Sequence, residues 1–408
     1  MNDDIVRVLY DGARHELFEN ILPFWRQRAL DNEYGGFYGE MNGRGKVNRK
    51  ADKGLILNTR LLWTFSAVYR RTNDKQLLQY ADRAYEVVNS HFIDPEFGGS
   101  YWMVDYRGRP RDTSKKIYGQ AFTVYALAEY VRAVGLYGAT DKALKLFRLI
   151  EDKAHDRKQG GYFETYNRDW TLAGDQRLSD KDLDVSKSMN THLHVLEAYS
   201  NLYRIWPDEL LRTRLEELLR LFVEHIIDPQ TFHFRLFFDE KWQFQSYTIS
   251  FGHDIEGSWL LCEAADVLGQ KDWQKRTHDL AVKMAAATLE TGTDRDGAIF
   301  YEAEPHGLSD ADKHWWPQAE AVVGFLNAYS LSGQKRFLEA GGRAWRFITE
   351  HLVDRKGGEW FWKTSRQGEP DRRTPKISAW KSAYHNSRAC LEIMTRIESM
   401  LKEKIDEP

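Results

Sequence analysis

NEYGGFYGEM (32–41), PEFGGSYWMV (95–104), RKQGGYFETY (157–166), PQTFHFRLFF (229–238), DRDGAIFYEA (294–303) and DRKGGEWFWK (354–363) are six versions of one motif. Each is a short Asp/Pro/Gly turn followed by an aromatic or hydrophobic couplet. Counted from Gly35, Gly98, Gly160, Phe232, Gly297 and Gly357, the copies stand 60 to 72 residues apart. A fixed period of this length marks a repeated supersecondary unit. Six units use up nearly all 408 residues, so the chain reads as one domain over 1–408.

Between successive turns there is room for two helices. After the first turn come GLILNTRLLWTFSAVYRRT (54–72) and QLLQYADRAYEVVNSHF (76–92), with apolar residues at three- and four-residue steps. The second helix of each pair is amphipathic, as in LRTRLEELLRLFVEHII (211–227), and belongs on the outside. The first is apolar nearly all round, as in AVVGFLNAY (321–329), and must be buried on most sides. Six inner helices within six outer ones give an all-α fold, an (α/α)6 barrel. Gly-Gly and Asp-Gly supply the positive φ of tight turns, which predicts short β-hairpins on one rim. An open solenoid would carry atypical end repeats. The last repeat is as apolar as the middle ones, so closure is expected. In the fourth turn Thr231-Phe232-His233 replaces Gly-Gly, which predicts a longer, differently shaped loop and a first place to look for substrate-specific differences.

Net charge is −3 with no basic stripe, so no nucleic-acid partner is expected. No stretch approaches a membrane span, and the acidic N-terminus MNDDIVRVLYDG lacks a signal core. Cys262 and Cys390 lie in apolar helical text and read as reduced core thiols of a cytoplasmic protein. Aromatic residues reach 13%, many beside Gly or charged residues. Such faces suit either core filling or the C–H faces of sugar rings.

Aligned by apolar pattern, the six inner helices each begin with a polar residue: Arg60, Gln120, His194, Glu256, Glu320 and His385. One turn earlier stand Lys116, Tyr118, Asn190, His253, Trp315, Trp316, Trp380 and Lys381. Burying so many unpartnered polar groups would cost roughly 1–3 kcal/mol each. A ligand-accepting pocket at the barrel mouth accounts for them. His192 and His194 diverge by about 200° on a helix and cannot chelate one metal together, so no metal site is expected. His253 lies three residues before Glu256, whose carboxylate is expected to orient the imidazole and raise its pKa. The chain has no GxGxxG fingerprint, no phosphate-cradling Gly loop, no GxSxG elbow and no thiolate cluster. What remains is proton transfer near neutral pH in a sugar-sized aromatic cleft.

GLILNTRLLWTF, SMNTHLHVLEAYSNLYR, SFGHDIEGSWLL, HWWPQAEAVVGFLNAY and WKSAYHNSRACLE resemble the cellobiose 2-epimerases of the N-acylglucosamine 2-epimerase superfamily, end to end and in order. The resemblance implies an (α/α)6 barrel, no cofactor, and C2 epimerisation of the reducing-end glucose of β-1,4-linked disaccharides, cellobiose and lactose among them. By motif, His253 and His385 would be the acid/base pair, His194 would act at O1 and the ring oxygen, and Arg60 would hold the developing enolate. Tyr118, Asn190, Glu256, Trp316 and Trp380 match substrate-contacting positions, and Asp182 and Glu302 match positions at the second sugar. Trp315 and Glu320 join them from the pocket register. A monomer or weak homodimer is expected.

Elementary chemistry is consistent with this. In an open-chain aldose C2–H is α to a carbonyl, so a base removes it without a nicotinamide. Inversion needs removal on one face and return on the other, a task for two imidazoles. The cis-enediolate needs fixed donors, a role for Arg60 and His194. Ring opening takes its proton from His194 or His385. Competing readings are an aldose–ketose isomerase or 2-epimerase on free mannose or glucose, an inverting glycosidase using Glu256 and Glu320, and a carbohydrate-binding protein without turnover.

Overall fold

Six helices that are buried nearly all round form the inner wall, in a computed structural model that describes residues 2–406. They are α3 (Leu55–Thr72), α5 (Ile117–Val134), α7 (Met189–Tyr203), α9 (Phe251–Leu268), α11 (Trp315–Ser332) and α13 (Tyr384–Asp406). Each packs on the next, and α13 packs on both α11 and α3, which closes the ring. The outer wall is α4 (Lys75–Val87), α6 (Tyr137–Lys153), α8 (Glu209–Leu221), α10 (Lys271–Thr291) and α12 (Lys335–Phe347). The sixth outer place is taken by α1 (Asn2–His15), which continues through a π-turn, Glu16–Ile21, into α2 (Leu22–Arg28) and packs on α12 and α13. The first helix of the chain thus completes the last repeat. The fold is an (α/α)6 barrel.

Local chemistry sets the ends of these helices. After α3, α5, α9 and α11 the chain enters the left-handed region at Asn73, Gly135, Gly269 and Gly333, and the outer helix starts two residues later. Asp74 and Asp208 cap α4 and α8 with their side chains.

The rim is stitched from unit to unit. Two-residue strands before the inner helices pair antiparallel with strands following the next turn: Lys53–Gly54 with Met103–Val104, Lys115–Lys116 with Thr165–Tyr166, and Lys187–Ser188 with Phe237–Phe238. Ile249–Ser250 with Glu302–Glu304 and Lys313–His314 with Lys363–Thr364 continue the series, and a bridge between Met41 and Ile377 closes it. The Gly turns themselves close single bridges, such as Ile93 with Ser100.

Five of the six turns share one geometry. The N–H of Asp31, Asp94, Asp156, Asp228 and Asp354 donates to the carbonyl five residues on, at 2.8–3.0 Å. Each Asp carboxylate accepts from the N–H groups two and three residues on. The fourth turn keeps this closure and so is no longer than the others, but it is reshaped at one position, where His233 lacks the left-handed φ that Gly36, Gly99, Gly161 and Glu359 hold. Phe232 simply takes the left-handed φ of 60° that Gly98 and Gly160 hold elsewhere. The fifth turn departs, closing one residue earlier from Asp294 to Ala298.

Buried lysines lock these turns. Lys53 reaches Asp31 (2.7 Å), Lys115 Asp94 (2.9 Å), Lys187 Asp156 (2.8 Å), Lys313 Asp294 (3.1 Å) and Lys376 Asp354 (2.6 Å). At the corresponding place the fourth unit has Ile249, and Asp228 pairs with Arg235 instead.

Candidate active site

At the N-terminal ends of the inner helices the barrel opens into a cavity of about 540 Å³. Arg60, Tyr118, Asn190, His194, His253, Glu256, Trp315, Trp316, Trp380 and His385 line it, and so do Asp182 and Glu302. The strands stitched around the rim deliver each inner helix here, so the residues in their first two turns converge on one space.

Three imidazoles are anchored by one ring nitrogen each. Nδ1 of His194 meets Glu197 Oε2 at 2.8 Å, that of His253 meets Ser250 Oγ at 2.7 Å, and that of His385 meets Glu320 Oε1 at 2.8 Å. The anchored nitrogens leave the Nε2 edges for the cavity. Trp316 lies against two of the rings, 4.8 Å from His253 and 5.5 Å from His385 between centroids. Burial lowers the pKa of all three, that of His253 to about 3 with help from the nearby His194. For His385, burial is reinforced by the charges of Arg60 and Arg388. The resting imidazoles are therefore neutral near pH 7, each with a lone pair to offer as a base.

The Arg60 guanidinium is held at three sides. It donates to Tyr118 Oη (2.9 Å) and to the Trp380 carbonyl (3.0 Å), and it lies 4.6 Å over the Phe122 ring. A buried cation fixed in this way is a preorganised partner for a developing oxyanion. Asn190 Oδ1 and Trp315 Nε1 are buried with no hydrogen-bond partner.

Several residues fall elsewhere than expected. Arg60, His194, Glu256 and Glu320 stand seven positions after Lys53, Lys187, Ile249 and Lys313. The seventh position after Lys115 is Phe122, so Gln120 is out of register by two. It belongs with His192, Asp254 and Gln318, which bond the turn backbone. Gln120 does so at Ser100 (2.7 and 2.9 Å), His192 at Tyr162 N, Asp254 at Phe234 N and Gln318 at Ile299. Lys381 is buried away from the cavity on Glu359 (3.0 Å). Glu320 also lies beneath the cavity wall, accepting from Trp259, His385 and Arg388.

Glu256 does not orient His253. Its carboxylate turns to Arg388, leaving the imidazole on Ser250 with a lowered rather than raised pKa. Glu256 and Glu320 share Arg388 Nη2 and bring ligand-type oxygens, with His385 Nδ1, within 4.8 Å of one another. That space already holds a cation, the guanidinium. It also sets the two carboxyls together, whereas an inverting hydrolase holds them roughly 6.5–9.5 Å apart across the scissile bond.

The long third interval of the sequence is a loop at the cavity mouth, between Thr165–Tyr166 and Lys187–Ser188. Gln176, Leu178, Lys181 and Asp182 of this loop line the cavity, so the insertion that shapes the mouth belongs to the third unit rather than the fourth. Asp182 Oδ2 accepts from Ser179 N and Oγ (2.8 and 2.9 Å), which folds the loop inward. Facing it, Lys181 lies over Tyr301, which stacks on His314 at 3.9 Å. Sequence reasoning missed Glu197, Tyr384 and Arg388. Their signal was available: Glu197 and Arg388 are ionisable, three residues after His194 and His385, on otherwise apolar helices.

A family model described as N-acylglucosamine 2-epimerase (GlcNAc 2-epimerase) matches residues 36–389. Over 388 residues the chain is 44% identical to a Bacteroides fragilis protein named cellobiose 2-epimerase, covering 95% of this chain and 99% of that one. A cellobiose 2-epimerase of Ruminococcus albus is 39% identical, with 95% and 99% covered. Among solved structures, the cellobiose 2-epimerase of Bacillus thermoamylovorans superposes with a TM-score of 0.92 at 39% identity, covering 97% of this chain and all of the other.

Proposed function

The chain belongs to the N-acylglucosamine 2-epimerase family and is a carbohydrate epimerase or isomerase; from that premise we propose that it epimerises C2 of the reducing-end glucose in β-1,4-linked disaccharides. Cellobiose would give glucosyl-mannose and lactose would give epilactose. The observation that carries this reading is that His253 and His385 line one cavity and both contact Trp316, each anchored through Nδ1.

The ring opens first: His194 or His385 takes the proton of the anomeric hydroxyl at its free nitrogen and hands it to the ring oxygen. One of His253 and His385 then takes the C2 proton into its neutral ring, and the other, first charged with a solvent proton at Nε2, returns that proton to the opposite face. Between the two steps the charge sits on O1 and O2 of a cis-enediolate, where Arg60 supplies fixed donors and His194 adds one when its Nε2 carries a proton. Electrons move only within the sugar, so no hydride carrier enters the balance. Asn190, Tyr118 and Trp380 contact the reacting sugar, and Asp182 and Glu302 the second one. Two buried, unpaired cysteines, Cys262 and Cys390, fit a cytoplasmic setting. No helix among the described residues is long and apolar enough to cross a membrane. A monomer or weak homodimer is the working form.

The test is an NMR time course with lactose in heavy water. Epilactose should accumulate with solvent deuterium at C2. Product without deuterium, or a ketose as the main product, overturns the reading.

A further inference from the structure

Beneath the cavity three carboxyl groups lean on a single guanidinium. Glu197, Glu256 and Glu320 are all buried, and Arg388 bonds each of them. Their other partners differ. Glu197 also accepts from Tyr384 Oη (2.5 Å) and His194 Nδ1 (2.8 Å). Glu320 also accepts from Trp259 Nε1 (3.0 Å) and His385 Nδ1 (2.8 Å). Glu256 has Arg388 Nη2 alone, at 2.5 Å. Of the pair that shares that nitrogen, only Glu256 borders the cavity.

One cation does not balance three buried anions, and an uncompensated buried carboxylate costs several kcal/mol. The cluster therefore binds a proton, and the acid with the fewest donors is where it goes. We propose that Glu256 is the neutral member of this cluster, a carboxylic acid presenting its O–H to the cavity as a donor for a substrate oxygen, while Glu197 and Glu320 stay ionised on His194 and His385. The donor role rests on the function proposed above; the protonation does not.

The surroundings agree. Burial and then the charge of Glu320 push Glu256 up to about 8, against the pull of Arg388. Burial raises Glu320 as well, but there the Arg388 charge and hydrogen bonds from Arg388 and Trp259 pull against it. Burial acts on Glu197 as well, but Arg388 and His194 overcome it and bring it down to about 2. Glu256 is faced by Arg388 and His385 from α13, Glu320 from α11 and Glu197 and His194 from α7. Tyr118 from α5, Arg60 from α3 and His253 from its own helix complete the shell. A neutral donor here strengthens as an enediolate charge develops, whereas a carboxylate would repel it.

Infrared spectroscopy of the intact enzyme reads this directly. Wild type minus Glu256→Gln should show a protonated-carboxyl C=O band at neutral pH that disappears as pH rises through about 8. Glu164, buried on Thr191 and Ser188 and also near 8, contributes a second such band that this subtraction cancels. If E256Q does not fold, Glu256→Asp should displace that titrating band in frequency while leaving the bands of other buried acids in place, and an unmoved spectrum overturns the assignment. Wild-type epimerisation of lactose should then fall about tenfold for each pH unit above the Glu256 pKa. E256Q, whose amide donates at any pH, should hold its own maximum over the same range. No carboxyl band overturns the protonation. An E256Q profile falling in step with wild type overturns the donor role. A wild type inert towards lactose removes the proposed reaction, while the titrating carboxyl band would still establish the protonation.

Discussion

The rim turns and the cavity floor are both built from buried charges, and they balance those charges differently. At the turns, one Lys ammonium meets the Asp of its own unit in five of six repeats, and backbone N–H groups occupy the remaining oxygen. Every member is satisfied, so the arrangement rigidifies the rim. On the floor, Arg388 serves three carboxyls that come from α7, α9 and α11. The balanced pairs repeat with the fold. The unbalanced cluster occurs once, and it anchors His194 and His385 at the cavity.

The largest effect should come from the floor. His385→Ala and His253→Ala should each lower kcat for lactose epimerisation by about 10²–10⁴-fold, with circular dichroism unchanged. An active His385→Ala enzyme would dissolve the contrast between floor and rim. At the rim, Lys53→Met leaves Asp31 buried without its cation. Removing one partner of such a pair typically costs about 3–5 kcal/mol, to be read from urea unfolding. Its kcat should stay within about twofold of wild type, because no cavity group is touched.

The smallest effect separates the two sets by pH. Burial holds His253 and His314 at about 3 and His192 at about 4, below the ordinary 6.5. The unfolded chain protonates these imidazoles first, so folded stability declines as pH falls from about 6.5 towards 3. The turn carboxylates Asp156 and Asp354 are held below 3.8 by their lysines against burial, and their contribution is lost only beneath that value. Between pH 7 and about 4.5 the melting temperature should carry this histidine slope together with the opposing one of Glu164 and Glu256, whose raised pKa values favour the folded state as pH falls, and His253→Gln should remove its own share of the loss. An unchanged slope would show that the cavity imidazoles are not held neutral.

Most of the barrel was legible because burial leaves periodic marks: a 3.6-residue pattern in each helix and a turn in each unit. The same burial hid the register of α5. That helix is apolar on almost every side from Ile117 to Tyr130, so its pattern fits the ring equally well at Gln120 or Phe122. The strand residue Lys115, paired with Asp94, decides the matter, and it lies outside the helix. The fourth turn misled for a related reason. Residue type suggested a longer loop of new shape, but the hydrogen bonds at Asp228 keep the common closure and the left-handed angle at Phe232, so the change is confined to His233.

By itself the sequence determined the closed six-unit ring and the level at which its polar residues gather, since both follow from periods that a linear chain carries. Tertiary structure alone decided which of those residues face the cavity and which support them. Glu197 meets Arg388 across 191 residues of chain, and Glu320 meets His385 across 65. Whether a carboxyl is an anion, an acid or an anchor depends on how many donors reach it from other helices. Those distances exist only once the ring has closed.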